Sequence, residues 1–178
     1  MFDILKKEYI NIYGKRKMLM IRSFLLYYRS LEFRVVILIR YYLASENSQI
    51  KKHLRKKLSL KYHVDIGRNP KIGKNFRFAH FQGTIIGNEV VIGDNCTIYQ
   101  QVTLGQKIYG LAGYGDDPIL GDNIVIFAGA KVLGKIHVGN NSVVGANAVV
   151  LKDVPENSCA VGIPAHIIKG EDKNNGAT

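Results

Sequence analysis

The feature that most constrains this sequence is a large apolar residue that recurs with a period of six along residues 64–155. This period fits neither the 3.6-residue repeat of an α-helix nor the two-residue repeat of a plain strand. It is typical of a parallel β-helix, in which each six-residue unit supplies one short strand and one corner, and the apolar side chain points into the coil. The recurring residues, which we call the ladder, are Ile66, Ile72, Phe78, Ile86, Ile92, Ile98, Leu104, Leu120, Ile126, Val132, Val138, Val144 and Val150.

Smaller residues accompany the ladder at fixed positions. A glycine often follows the ladder residue, as at Gly67 and Gly93, and a smaller or β-branched residue stands two places before it, as at Val64 and Cys96. We expect the glycines to let the backbone turn without strain at Cβ. The pattern therefore predicts an all-β core built from hexapeptide repeats.

The period slips at two places, and insertions in such a coil leave it as loops, often on the binding face. Between Phe78 and Ile86 the step is eight residues, so two extra residues lie near His80. Between Leu104 and Leu120 the step is sixteen residues, which predicts an extruded loop over residues 106–117. We expect the functional site near these two slips.

The positive charge of the chain is concentrated before the ladder. Residues 1–62 hold 15 Lys+Arg and 4 Asp+Glu, which gives +11, whereas residues 63–178 hold 10 of each and are neutral. Amphipathic patterns over residues 18–28, 31–43 and 50–60 predict helices. We expect residues 1–62 to form a basic α-helical region that covers the open end of the coil.

Two alternatives remain open for the basic surface of residues 1–60. It contacts an anionic membrane surface, or it serves only as a packing and trimerisation element. Nucleic acid is not an expected partner, since no recognised binding motif accompanies the charge.

The expected organisation is thus a helical region over residues 1–62, a β-helix domain over residues 63–169 and a disordered tail over residues 170–178. No secretory signal and no membrane-spanning segment are evident in the sequence. Cys96 and Cys159 do not form a disulfide framework. We therefore expect a cytoplasmic protein. The alternative is a peripheral position at the inner face of the membrane.

His80, in the first slip, is the candidate general base, because an imidazole is largely neutral near pH 7. Asp65, fifteen residues earlier and less than one coil away, is the candidate partner for its second ring nitrogen. The alternative is a surface histidine without a catalytic role. The other histidines offer no triplet for zinc, and we expect no metal.

A strip of small residues is predicted on the outer wall. Ala128, Ala146 and Pro164 are spaced by 18 residues, the length of one full coil, so we expect them to stack and to accept a thin, extended ligand. The alternative is that small residues are simply common in this chain.

Several motifs resemble those of serine acetyltransferases and of the shorter relatives that O-acetylate sugars of bacterial surface polysaccharides. The motifs are VDI at 64–66, AH at 79–80 with Gly83, QQVTLG at 100–105, AGAKVLG at 128–134, VVL at 149–151 and GIPA at 162–165. The resemblance covers residues 62–169, and the short N-terminal region is closest in type to the polysaccharide branch.

This resemblance implies a left-handed parallel β-helix, a homotrimer, and acetyl-CoA lying in the groove between neighbouring coils. It implies that His80 is the general base and that Asp65 orients it. The positions that it implies along the CoA groove are Gly105, Ala128, Ala146, Gly162 and Pro164. Lys169 is placed near the nucleotide phosphates on its charge alone.

Two departures from the serine acetyltransferase pattern concern the acceptor. Ala79 stands where those enzymes carry an acid, and Asp116 and Asp117 stand where they carry an Arg-His pair. An Asp-Asp pair repels the carboxylate of serine, whereas it can accept hydrogen bonds from sugar hydroxyls.

The sequence therefore predicts an acetyl-CoA-dependent O-acetyltransferase that works through a ternary complex. Its expected acceptor is a carbohydrate hydroxyl of a bacterial surface polysaccharide or of a precursor, including a lipid-linked one. The alternatives are a serine O-acetyltransferase and a catalytically silent scaffold.

Overall fold

Four helices precede fifteen short strands in the part of the chain that this computed structural model describes, residues 2–14, 18–107 and 116–169. The helices are α1 (Phe2–Tyr13), α2 (Leu19–Arg29), α3 (Leu31–Ala44) and α4 (Ser48–Tyr62). The strands are β1 (Val64–Ile66), β2 (Lys71–Ile72), β3 (Arg77–Phe78), β4 (Thr84–Ile86), β5 (Val91–Ile92), β6 (Thr97–Ile98), β7 (Thr103–Gly105), β8 (Ile119–Leu120), β9 (Val125–Ile126), β10 (Lys131–Leu133), β11 (His137–Val138), β12 (Val143–Val144), β13 (Val149–Val150), β14 (Ser158–Val161) and β15 (His166–Lys169). The predicted tail 170–178 and residues 108–115 of the predicted loop 106–117 lie outside the described residues.

The strands form three sheets that wind as one coil. The first sheet has the order β1-β4-β7-β10-β13, the second β2-β5-β8-β11, and the third β3-β6-β9-β12-β14 with β15 at its edge. All pairings are parallel within the described residues, except that β15 runs antiparallel to β14. The predicted parallel β-helix behind a helical N-terminal region is confirmed, and its left-handed sense remains what the family resemblance implies.

The ladder fills the coil. Every ladder residue except Ile72 is buried, with at most 5% of its surface exposed. The residues two places before them are buried as well, among them Val64, Cys96 and Ala130 at no more than 1% exposure and Ile136 at 6%. Burial of these rows of aliphatic side chains is the main stabilising contribution to such a coil, at roughly 25 cal/mol per Å² of apolar surface.

The glycines after the ladder residues have a different role from the one expected. Gly67 and Gly93 do not have positive φ angles. A side chain on Gly67 would overlap the backbone of Asn88 in the next coil, and one on Gly93 would overlap that of Gly121. These glycines therefore allow close approach between coils.

Asparagines occupy left-handed turns of the coil. One column, between the second and third sheets, comprises Asn75, Asn95, Asn123, Asn141 and Asn157, with φ between 52° and 59°. The side-chain amide of each of the first four donates to the next asparagine along the column at 2.9 to 3.1 Å. Asparagine tolerates this backbone region, so the column of amides stabilises a row of tight turns.

The helical region packs on the first coil. Val36, Leu38 and Leu58 belong to the same buried cluster as Val64 and Ile66. Residues of α3 and α4 thus pack against the first coil, whereas a cover formed by the whole of residues 1–62 stays a prediction. No described helix combines the length and the apolar character needed to cross a membrane.

Candidate active site

His80 lies just after β3, at the corner where the chain passes from the third sheet to the first, and its side chain is exposed. Its ring meets that of Tyr99 edge-on, with centroids 6.4 Å apart, and Tyr99 lies 5.0 Å from Phe127. The three rings form a column because hydrogen bonds between the coils hold the residues before them in register. Ala79 N–H, for example, donates to the Ile98 carbonyl at 3.0 Å. One aromatic ring from each of three successive coils therefore lies along this corner.

Asp65 is exposed in the middle of β1, and its Oδ1 lies 3.7 Å from Nη2 of Arg55 on α4. Among the described residues, no hydrogen bond joins Asp65 to His80. The structure thus places both predicted catalytic residues on the first coil without bringing their side chains into contact. Their catalytic roles stay predictions.

A basic cavity of about 640 Å³ lies beside Asp65. Five basic side chains line it, Lys51, Lys52, Arg55, Lys56 and Arg68. Among the described lining residues, Asp65 is the one acidic side chain. A cavity with this charge attracts carboxylate or phosphate groups. The sequence indicated the charge of α4 but not that it faces Asp65.

Ala128 and Ala146 stack on successive coils, since Asn147 N–H donates to the Ala128 carbonyl at 2.8 Å. Ala146 is exposed and Ala128 is half-buried. The predicted strip is correct for these two alanines, but Pro164 does not continue it. Val144 pairs with Ala160, a step of 16 residues, so Gly162 is the counterpart of Ala146 and Pro164 lies two residues beyond it.

The remaining predicted CoA positions are spread along the coil. Gly105 ends β7, and a side chain there would meet open space. Pro164 and Lys169 are exposed, in the turn before β15 and at the end of β15. Their contacts with CoA stay predictions.

Gln100 is a candidate that the sequence motif contained but to which we assigned no role. It follows Tyr99, and its carbonyl accepts a hydrogen bond from Gly129 N–H at 2.9 Å, so it lies in the coil between His80 and Ala128. Its side-chain Oε1 is buried and has no hydrogen-bond partner. A buried acceptor of this kind costs about 1–3 kcal/mol when left unpaired, which makes Gln100 a candidate polar contact for a ligand.

The two acids before Pro118 have different surroundings. Asp117 is 4% exposed, and its Oδ2 accepts a hydrogen bond from Glu89 N–H at 3.1 Å. Asp116 is half-buried. Asp117 therefore fixes the turn beside Gly87 and Glu89, while the role of both acids in binding the acceptor stays a prediction.

Neither cysteine is arranged as a nucleophile at this corner. Cys96 is 1% exposed inside the coil, and burial raises the pKa of its thiol to about 11. Cys159 lies in β14. In the described part of the chain, no group of three or more His, Cys, Asp or Glu side chains is arranged to hold a metal ion.

A family profile and solved structures of known proteins both match this chain. The profile described as "Bacterial transferase hexapeptide (six repeats)" matches residues 117–152. Solved structures of a soybean serine acetyltransferase complexed with serine and of a serine acetyltransferase in complex with CoA are each 30% identical to this chain. They give TM-scores of 0.79 and 0.74, each alignment covers 93% of this chain, and it covers 70% and 68% of theirs.

The chain belongs to the hexapeptide-repeat acyltransferase family. The serine acetyltransferase of Staphylococcus aureus (strain Mu50) is 47% identical over 115 residues, which are 65% of this chain and 53% of that protein. The chain spans about half the length of the curated relatives it matches. The predicted membership of the hexapeptide-repeat acyltransferases is confirmed, and the closer resemblance to the polysaccharide branch stays a prediction.

Proposed function

We propose that this hexapeptide-repeat acyltransferase transfers the acetyl group of acetyl-CoA to the hydroxyl of serine. The observation that carries this proposal is the 47% identity with the S. aureus serine acetyltransferase over 65% of this chain. The basic cavity beside Asp65 adds support, because its lysines and arginines can pair with the carboxylate of an amino acid.

The proposed reaction is a direct transfer in a ternary complex. An unprotonated ring nitrogen of His80 takes the proton of the acceptor hydroxyl while its oxygen attacks the thioester carbonyl. The new C–O bond forms, the C–S bond breaks, and the CoA thiolate leaves and regains a proton. In the proposed reaction the exposed carboxylate of Asp65 leaves its loose pair with Arg55 and accepts a hydrogen bond from the second ring nitrogen of His80, which would fix the tautomer.

Acetyl-CoA fits the small-residue surface that follows the aromatic column. Ala128, Ala146 and Gly162 leave room for a thin pantetheine arm along successive coils. Gln100, whose buried Oε1 has no partner, is a further proposed contact, for an amide N–H of the pantetheine arm. Gly105, Pro164 and Lys169 complete the proposed contacts, with the ammonium of Lys169 directed to phosphate.

The proposed assembly is a homotrimer. Ile85 is 44% exposed on the outer side of the first sheet and is the register partner of Asp65. A second copy packed on Ile85 would therefore approach the candidate site. Sedimentation equilibrium that returned the mass of a monomer would contradict this assembly.

A carbohydrate hydroxyl is the second candidate acceptor, and Ala79 and Asp116 favour it. Ala79 removes an acid that could hold an amino group, and Asp116 could accept hydrogen bonds from sugar hydroxyls. Because Asp117 is buried in the turn, this case depends on Asp116 rather than on a pair of acids. A carbohydrate carried on a lipid would present its hydroxyl at a membrane surface.

The deciding experiment follows thiol release from acetyl-CoA by the purified protein, with L-serine compared against a panel of oligosaccharides. Release that depends on L-serine and is lost in His80→Ala supports the proposal. Release with an oligosaccharide but not with serine replaces it by the second candidate. Acetyl-CoA binding without release on either acceptor would indicate a silent scaffold.

A further inference from the structure

Helix α2 packs on the rest of the chain through one face. Leu19, Leu26 and Tyr27 are partly buried against the cluster that contains Phe33 and Ile37 of α3. Ser23 lies on the same face and is fully buried, with its hydroxyl donating to the Met20 carbonyl at 3.0 Å. Positions 19, 23, 26 and 27 share one side of an α-helix, so this face is satisfied by intramolecular contacts.

The opposite face of α2 is also apolar, and it is exposed. Its five residues follow the spacing of one continuous helical stripe. They are Met20, Ile21, Phe24, Leu25 and Tyr28, each 45–60% exposed. Met18, at the start of the helix, and Leu31, just beyond its end, extend the apolar surface with 66% and 47% exposure.

A helix that is apolar on both faces normally has both of them covered. No described element of this chain covers the outer face of α2. The helix has 11 residues and is about 16 Å long, far short of the ~20 residues that cross a bilayer. Its outer face therefore fits a surface on which the helix can lie.

Charge distinguishes between the surfaces that could cover it. Arg22 and Arg29 are exposed, and their spacing of seven residues puts them on the same edge of the apolar stripe. Residues 1–62 carry a net charge of +11. A second copy docked on this face would bring two such regions together with like charges opposed, whereas an anionic lipid surface attracts each basic residue by about 1 kcal/mol.

We propose that the outer face of α2 docks on an anionic lipid surface. Phe24 and Leu25 enter the boundary between headgroups and acyl chains, while Arg22 and Arg29 pair with lipid phosphates. The helix lies parallel to the surface, and the β-helix stays in water. This contact is independent of the acceptor that the enzyme uses.

The test is co-sedimentation of the full chain with vesicles of phosphatidylcholine alone and of phosphatidylcholine with phosphatidylglycerol. We expect binding to the anionic vesicles that weakens as salt is raised, and little binding to the neutral ones. Phe24→Ser combined with Leu25→Ser should reduce the bound fraction at least tenfold. Leu60→Ser is the matched control, since Leu60 is 67% exposed on α4, and it should bind like the wild type.

A second pair of substitutions tests the charges. Arg22→Gln with Arg29→Gln should weaken binding roughly tenfold or more if each arginine contributes about 1 kcal/mol. Absence of binding by the wild type, or equal binding by the Phe24/Leu25 variant, would overturn the proposal. Sedimentation velocity without vesicles tests whether the outer face of α2 instead contacts a second copy of this chain. If the wild type does not bind vesicles and the Phe24/Leu25 variant forms a smaller assembly than the wild type, this face belongs to a contact between copies.

Discussion

The guanidinium of Arg40 on α3 lies 3.1 Å from the carboxylate of Glu8 on α1, and the two side chains are only 16% and 4% exposed. The same guanidinium donates to the carbonyl oxygens of Ile72 and Gly73 in the first coil. A single side chain thus joins two helices to the β-helix. Since the carboxylate of Glu8 is buried, its negative charge would be strongly destabilising without the guanidinium of Arg40.

Replacing Arg40 with Met should therefore lower the free energy of unfolding by about 3 kcal/mol or more, because Glu8 would remain as an unpaired buried charge. Urea unfolding at fixed protein concentration measures this loss. Arg55→Met is the matched control, since its pair with Asp65 is exposed and should contribute no more than about 1 kcal/mol. Equal losses in the two variants would contradict the structural role given to Arg40.

His80→Ala should reduce turnover by ~10²–10⁴-fold, because the acceptor hydroxyl would lose its general base. The KM for acetyl-CoA should stay near the wild-type value, since the small-residue surface is intact. Steady-state kinetics with the acceptor found by the thiol-release assay measure both quantities. His137→Ala, an exposed histidine of β11 on the second sheet, is the control and should keep full activity. Turnover near wild type in His80→Ala would remove His80 from the mechanism.

Ala146→Leu should raise the KM for acetyl-CoA at least tenfold, because a branched side chain on the exposed corner would occupy the space proposed for pantetheine. Folding should be little affected, as the position is exposed. Ala44→Leu, at the exposed end of α3, introduces the same atoms away from the proposed groove. An unchanged KM in Ala146→Leu would mean that acetyl-CoA lies elsewhere.

The fold was predictable because its determinants are local and periodic. The ladder residues repeat with the coil, so the sequence alone predicts which side chains are buried. The role predicted for Gly67, an unstrained turn, was wrong. The period shows where a glycine stands, but it does not show that the backbone of the next coil approaches that glycine closely. The expected position of Pro164 also failed, since the last step has 16 residues instead of 18 and no ladder residue marks the change.

The site was less predictable, because its contacts join residues that no local pattern relates. Arg55 pairs with Asp65 from a neighbouring helix, and the alternation of apolar and basic residues in α4 does not show where that helix points. The sequence predicts that Asp117 is the last residue of the extruded loop 106–117. In the structure it is buried, and its Oδ2 accepts a hydrogen bond from Glu89 N–H.

Asp117→Ala should destabilise the protein by about 1–3 kcal/mol, because Glu89 N–H would lose its acceptor in a half-buried turn. Asp117→Asn keeps an acceptor oxygen and should retain most of that stability. Asp116→Ala should leave stability within about 0.5 kcal/mol of the wild type while changing the KM for the acceptor if Asp116 contacts it. Thermal and urea unfolding of the three variants separate these roles, and a stable Asp117→Ala protein would show that the turn does not need the carboxylate.

Cys96 should make stability depend on alkaline pH. Burial raises the pKa of its thiol from 9.0 to about 11, so between these values the unfolded chain releases a proton that the folded chain retains. The contribution of the neutral thiol is therefore complete below pH 9 and is lost as pH rises towards 11, with a limit of about 2–3 kcal/mol. Burial also raises the pKa values of Tyr27 and Tyr42, which contribute in the same direction.

The difference between wild type and Cys96→Ala isolates the thiol, because both tyrosines remain in each protein. Urea unfolding at about pH 8 and about pH 10.5 should show a larger loss of stability for the wild type than for the variant. Cys96→Ala lowers stability at both values by removing buried sulfur, so the comparison uses the change with pH and not the absolute value. The same change with pH in both proteins would mean that the Cys96 thiol ionises as readily in the folded coil as in the unfolded chain.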